Sequence, residues 1–198
     1  MPRGGALCMT ETISSFGDPE RPARLVVDPA EVDQPVLGDF LRYWRSLRGS
    51  AALPSYGDFN PKAVKEHLSW VVIADALGDY HDFRYRLVGS HVTRYFLSNG
   101  TGKTIREAFG DGALAESIVD INRQTCIAGV PIRLTGRASV VENVLFPDYD
   151  TLYLPFTTAG ERADKVINIF TFDLSGCLNA RQVEPAALPR SLRVPQTT

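Results

Sequence analysis

The stretch DFRYRLVGSHVTRYFLSNGTGKTIREAF, residues 82–109, decides between two folds. It contains Gly102-Lys103-Thr104, the ending of a phosphate-binding loop. Such a loop needs G-x-x-x-x-G-K-[S/T], so that successive N–H groups can curl around a phosphate while Lys and the hydroxyl handle charge and Mg²⁺. Its first glycine would fall at position 97, which is Leu97. The loop should also follow a strand and open a long helix. Here Phe83, Tyr85 and Leu87 alternate with Arg84 and Arg86, which predicts a half-buried strand over 83–89. Ser90 then suits the cap of a helix over 91–97, with Val92, Tyr95 and Phe96 as its apolar positions. The glycines therefore follow a helix and lead into a short turn, IREAF. No strand ending in Asp presents itself as a magnesium partner. The stretch reads as a helix stop at Asn99 and Gly100, followed by a new cap at Thr104.

Upstream, WVVIADA (70–76) is β-branched and apolar, and with 83–89 it makes a hairpin across the turn GDYHD. An amphipathic helix is expected over 35–48. Val36, Leu37, Phe40, Leu41, Trp44 and Leu47 share one face, Asp33 and Pro35 suit its start, and Gly49 its end. Asn60-Pro61 opens a short helix over 61–68. Downstream, a longer helix spans 113–128, opened by Asp111, with Leu114, Ile118, Ile121 and Thr125 along one line and Gly129 at its end. Strands are expected at 132–141, 151–156 and 165–173. Two hairpin strands, a helical excursion and three meandering strands make an α+β domain: one five-stranded antiparallel sheet with helices covering one face and an N-terminal amphipathic helix.

The domain is expected over 33–176, with a flexible segment at 1–32 and a Pro-rich disordered tail at 177–198. Met9 can serve as an alternative start. The 198 residues carry a net charge of −2, with pI about 5.9. There is no basic stripe for nucleic acid and no polybasic cluster for a membrane. Neither a signal peptide nor an apolar run of about 18 residues is visible. Cys8, Cys126 and Cys177 are far apart and odd in number, which fits a reducing cytoplasm better than a disulfide framework or a thiolate metal site. No metal site is expected from three unclustered histidines.

With its neighbours, the stretch takes on a further meaning. Tyr43-Trp44 on an amphipathic helix, Asn60-Pro61, Tyr85-Arg86-Leu87-Val88-Gly89, the Thr101-Gly102-Lys103 turn and LYLPF at 152–156 follow one another at characteristic spacing. In this the chain resembles PAS domains, most closely a group of small bacterial PAS-like proteins, over residues 35–175. The resemblance implies a five-stranded antiparallel sheet whose helices form a small chamber. Two departures stand out. Ser90 replaces a commoner Thr, and VENVLFPDYD lacks the usual tight turn.

PAS-like domains bind haem, flavin, small acids or nothing. Neither haem nor flavin is expected here. The helix at 113–128 has no histidine, leaving only His91 on the shorter helix for haem, and Cys126 lies outside any flavin-attachment motif. It reads as a small buried hydrophobe. Ser90 and His91 are adjacent and cannot form a relay. The ligand-binding candidates are polar residues that interrupt apolar patterns, Asn122, Thr125 and Asn168, together with Tyr85, His91 and Tyr153. Buried, such groups either satisfy one another or meet a ligand. Phe40, Trp44 and Leu47 form a stripe suited to a homodimer seam, the alternative being docking on their own sheet.

The expected function is a non-catalytic cytoplasmic sensory or regulatory module that signals through a homodimer or an unknown partner protein. An alternative is a small ketosteroid-isomerase-like enzyme with Asp75 as base opposite Tyr153. A ligand-free interaction scaffold is another.

Overall fold

The computed structural model describes residues 24–25, 32–95, 100–137, 140–141, 144–145, 148–173 and 178–179. In chain order these form β1 (Arg24–Leu25), α1 (Pro35–Arg48), a 3₁₀ turn (Tyr56–Asp58), a kinked 3₁₀ segment (Pro61–Trp70), β2 (Val71–Leu77) and β3 (Asp82–Val88). Next come α2 (Ser90–Tyr95), α3 (Ile105–Phe109), α4 (Ala113–Ala128), β4 (Ile132–Arg137), β5 (Val140–Val141), β6 (Val144–Leu145), β7 (Asp148–Phe156), β8 (Lys165–Asp173) and β9 (Leu178–Asn179). The main sheet runs β1-β4-β7-β8-β2-β3, and each pairing in it is antiparallel. The five expected strands are present, and the two-residue β1 extends the β4 edge. The strand expected over 132–141 ends at Arg137, and Val140–Val141 belong to a separate small ladder, β5-β6-β9. Of the segments expected to be flexible or disordered, the structure describes β1, Val32 and β9. The rest, like residues 96–99, lies outside the described residues.

Alternation along each strand sorts the side chains to two faces. On the back face Val71, Ile73, Leu152, Leu154, Phe156, Ile167 and Ile169 pack beneath α1 and the 3₁₀ segments, with Leu37, Phe40, Leu41 and Trp44 of α1 and Phe59 and Val64. On the front face Val72, Ala74, Phe83, Tyr85, Ile132, Leu134, Tyr149, Tyr153 and Val166 pack under Val92 of α2, Ile105 of α3 and Ala115, Val119, Ile121 and Cys126 of α4.

Local signals explain the helix ends. Pro35 occupies the first turn of α1, where the side chain of Gln34, rather than Asp33, accepts from Leu37 N. Gly49 closes the helix, donating to Arg45 O. Asn60 caps the 3₁₀ segment through Lys62 N. Asp111 does not cap α4; Gly112 stands at that position without a side-chain bond, and left-handed Gly129 ends the helix. The buried face of α4 is broader than the expected line: Ala115, Val119, Asn122 and Cys126 lie on it together with Ile121 and Thr125, Ile118 packs at its margin, and of the expected line only Leu114, 43 % exposed, falls outside.

The glycine-rich turn is consumed by the fold. Gly102 N donates to Tyr85 O (2.8 Å), Tyr85 N to Lys103 O (2.9 Å), and Lys103 N to Gly100 O (3.0 Å). Thr104 N donates to Glu107 Oε2 (2.7 Å), half of a capping box on α3. The amides that a phosphate would need are therefore occupied. The segment is a strap along the open edge of β3, and Arg84 Nη1 reaches across it to Gly102 O (2.9 Å). Gly89 has a different role. A Cβ there would stand 2.4 Å from Ser69 O, so the crossing of β3 into α2 over the 3₁₀ segment requires glycine.

Candidate functional site

The front face holds the polar residues. Register makes Tyr153 the cross-strand partner of both Ile132 and Asn168, and Asn168 that of Val72. Thr151 pairs with Leu134 and Phe170, so it stands diagonally from Asn168 on the same face. Thr151, Asn122 and Thr125 are 0 % exposed and Asn168 is 3 % exposed. Thr125 Oγ1 returns its proton to Ile121 O (2.8 Å), and Asn122 Nδ2 donates to Ile118 O (2.7 Å), both within α4. Among the described residues, Asn122 Oδ1, Thr151 Oγ1 and Asn168 Oδ1 are buried on this side without a hydrogen-bond partner. Buried polar atoms are seldom left so, because desolvating an unpaired one costs about 1–3 kcal/mol.

Three phenols share this interior. Burial pushes Tyr153 well up, and the neighbouring Tyr149 and Tyr85 push further in the same direction. Tyr85 is raised by burial and then by the Asp82 carboxylate, and Tyr149 by burial. All three therefore stay protonated. The Cys126 thiol is pushed up to about 12 by burial and, second, by Asp164. It is a neutral packing group, as expected of a small buried hydrophobe.

Of the six sequence candidates, Tyr85, Asn122, Thr125, Tyr153 and Asn168 come together here. His91 does not. It is exposed at the start of α2, where its Nδ1 lies 2.9 Å from Ser69 Oγ and its ring 4.4 Å from that of Trp70. Sequence reasoning missed Tyr149 and Thr151; the available signal was their alternation with Tyr153 along one strand. Among the described residues no cluster of three His, Cys, Asp or Glu side chains could hold a metal ion. No described helix is long and apolar enough to cross a membrane.

The back face accounts for two other sets. Phe40 is 2 % and Trp44 1 % exposed, Leu47 packs beside them, and Trp44 Nε1 donates to Pro155 O (2.7 Å). This stripe covers its own sheet, the alternative to the dimer seam. Asp75 is paired across the ladder with Lys165, whose ammonium bonds it, and Arg86 bonds its other oxygen. Burial works to raise the Asp75 pKa, but the Lys165 and Arg86 bonds outweigh it and hold the carboxyl below its usual value. Lys165 Nζ also lies 4.3 Å from the centre of the Tyr56 ring. Asp75 and Tyr153 thus face opposite sides of the sheet and cannot act as the base and acid of one isomerase cavity.

Neither curated proteins nor solved structures gave a match. The PAS domain family model matches residues 32–171, from just before α1 to the far end of β8. Those bounds enclose both packed faces and the polar interior, and the chain belongs to the PAS domain family.

Proposed function

We propose that this chain is a sensory or regulatory module that takes a small molecule between α4 and the front face of the sheet. The observation that carries this reading is the trio of buried, unpartnered oxygens, Asn122 Oδ1, Thr151 Oγ1 and Asn168 Oδ1, on facing layers of one interior. PAS domains are generally sensory modules without a reaction of their own, and no catalytic role is assigned here. Occupancy is passed on by repacking of the helices against the sheet, and a ligand can do this only by binding two arrangements unequally. Tyr85 offers a route. Its side chain lies in the interior while its backbone holds the strap that leads to the cap of α3. The recipient of the signal is a partner protein or a second copy.

Native mass spectrometry of the full chain as purified tests the reading. The expected spectrum shows an added mass of a few hundred daltons that is lost in Asn168→Leu. A bare chain, with Asn168→Leu more stable and otherwise unchanged, would instead make this a scaffold with a filled core.

A further inference from the structure

The chemistry of the unpartnered atoms restricts what can occupy the interior, if the binding reading above holds. Asn122 is the fixed point. Its Nδ2 donates to the Ile118 carbonyl (2.7 Å), so turning the amide over would set two oxygens against each other. The free end of Asn122 is therefore an acceptor. Asn168 Oδ1 is also unpartnered, but no hydrogen bond holds that amide one way round, so it can present either end, and Thr151 offers a hydroxyl that can donate or accept. An anion placed beside Asn122 would face a carbonyl oxygen fixed in that orientation.

Asp82 acts on Tyr85, and Asp164 acts on Cys126. The cations at the Tyr80 end of this cluster, Arg162 over its ring and Arg123 on its carbonyl, are paired with Asp79 and Asp120. Asp82 and Lys165 are the buried charged side chains among the described residues. Lys165 is on the back face, neutralised by Asp75. A buried carboxylate ligand would find no counter-ion among these groups, and desolvation would weigh fully against it. A fully charged cation meets the same desolvation cost without a carboxylate in contact. Tyr85, Tyr149, Tyr153 and Phe83 offer flat apolar walls, suited to an aromatic or heteroaromatic body.

We infer that this site selects an uncharged, hydrogen-bond-donating aromatic molecule of the primary-amide kind, whose N–H group bonds Asn122 Oδ1 and whose carbonyl oxygen accepts from the Thr151 hydroxyl, and that it rejects carboxylates of the same shape. The inference rests on the binding reading, and the experiment separates the two.

Benzamide and benzoate differ in little but the donor and the charge. Each is titrated against the full chain at neutral pH, with binding followed by protein NMR shifts. Wild type is expected to bind benzamide saturably in the millimolar range and benzoate at least about tenfold more weakly, the worth of one hydrogen bond to a buried acceptor. Asn122→Leu removes the acceptor and should erase that preference. Should Asn122→Leu fail to fold, Thr151→Val serves. It removes an unpartnered hydroxyl without changing shape, so the protein stays folded while benzamide weakens severalfold. Benzoate binding as well as benzamide at this interior overturns the ligand class and leaves the site standing. Absence of binding by either probe overturns both. Benzamide bound equally by wild type and by the folded variant overturns the role given to these oxygens.

Discussion

The two faces of the sheet are made from the same strands by alternate residues, yet they are finished differently. Behind, α1 and the 3₁₀ segments lay Phe40, Trp44 and Phe59 onto Ile, Leu and Phe side chains, and the indole N–H finds the Pro155 carbonyl. Charge on the sheet itself is paired, with Asp75 held between Lys165 and Arg86, and the one unpartnered buried side-chain nitrogen or oxygen among the described residues on that side is Arg48 Nε at the end of α1, whose guanidinium lies over the Trp44 ring. In front, α4 brings a buried asparagine to the layer that faces a threonine and an asparagine of the sheet, and three oxygens stay unpartnered. A layer that only had to hold the domain together would have the first finish on both sides. The contrast assigns stability to the back and selectivity to the front.

Breaking the back should therefore cost most. Trp44→Ala deletes a buried ring and leaves the Pro155 carbonyl without its donor, so about 3–5 kcal/mol of stability is expected to go. Urea unfolding read by tyrosine fluorescence and circular dichroism checks it. A loss below about 1 kcal/mol would mean that α1 is not held on its own sheet and would reopen the dimer seam. Gly89→Ala comes next. Its methyl would meet the Ser69 backbone at 2.4 Å, and overpacking of this kind costs about 1–3 kcal/mol. Because Gly89 joins β3 to α2, amide exchange should speed up in α2 more than in α1.

The same contrast shows what could be read in advance. Helix α1, the hairpin and the three late strands follow from periods of 3.6 and 2 that many residues reinforce, so their order was visible in the chain, while β4 stops at Arg137, short of its expected end, and β7 begins at Asp148, ahead of its expected start. The capping of α3 by Thr104 was legible too, because a capping box is local. The face of α4 was legible in Ile121, Asn122 and Thr125, all buried, but not at the first turn, where Leu114 continues the apolar spacing and yet is 43 % exposed. Asn168 could be placed because it interrupts a strongly apolar strand, whereas the side of Tyr153 hung on a register that one residue of error would flip. Thr151 could not, since a threonine in a strand is ordinary until its hydroxyl proves to lack a partner. His91 went astray because its position depends on Ser69 and Trp70, more than twenty residues away, which no local pattern encodes.

A smaller effect is expected at the charged end of the back face. The folded Asp75 carboxyl is held below its usual pKa by Lys165 and Arg86 against the pull of burial. A group with a depressed folded pKa contributes stability above its unfolded pKa and loses it as pH falls through the folded one. The contribution is therefore present at neutral pH and fades below about pH 4. Asp75→Asn should lower stability at neutral pH by about 1 kcal/mol, since Arg86 is largely exposed and its share screened. The difference from wild type should shrink as the pH falls below about 4. Chemical unfolding of both proteins at neutral pH and at pH 3 decides it, and a difference that does not shrink in acid assigns the loss to packing.

The front face should respond with the opposite sign. Thr151→Val keeps the shape of the side chain and removes an oxygen that has no partner in the protein. Valine also suits a strand better than threonine does in a dry environment. For a structural hydroxyl satisfied within the fold, this exchange would cost about 1 kcal/mol; for one kept for a ligand, it should leave the free protein unchanged or more stable by up to about 1 kcal/mol. Thermal unfolding of the ligand-free chain, stripped by unfolding and refolding before the scan, measures this difference directly. A clear loss of stability in the stripped Thr151→Val protein would show that the front interior is finished like the back, and the division of labour between the two faces would fall with it.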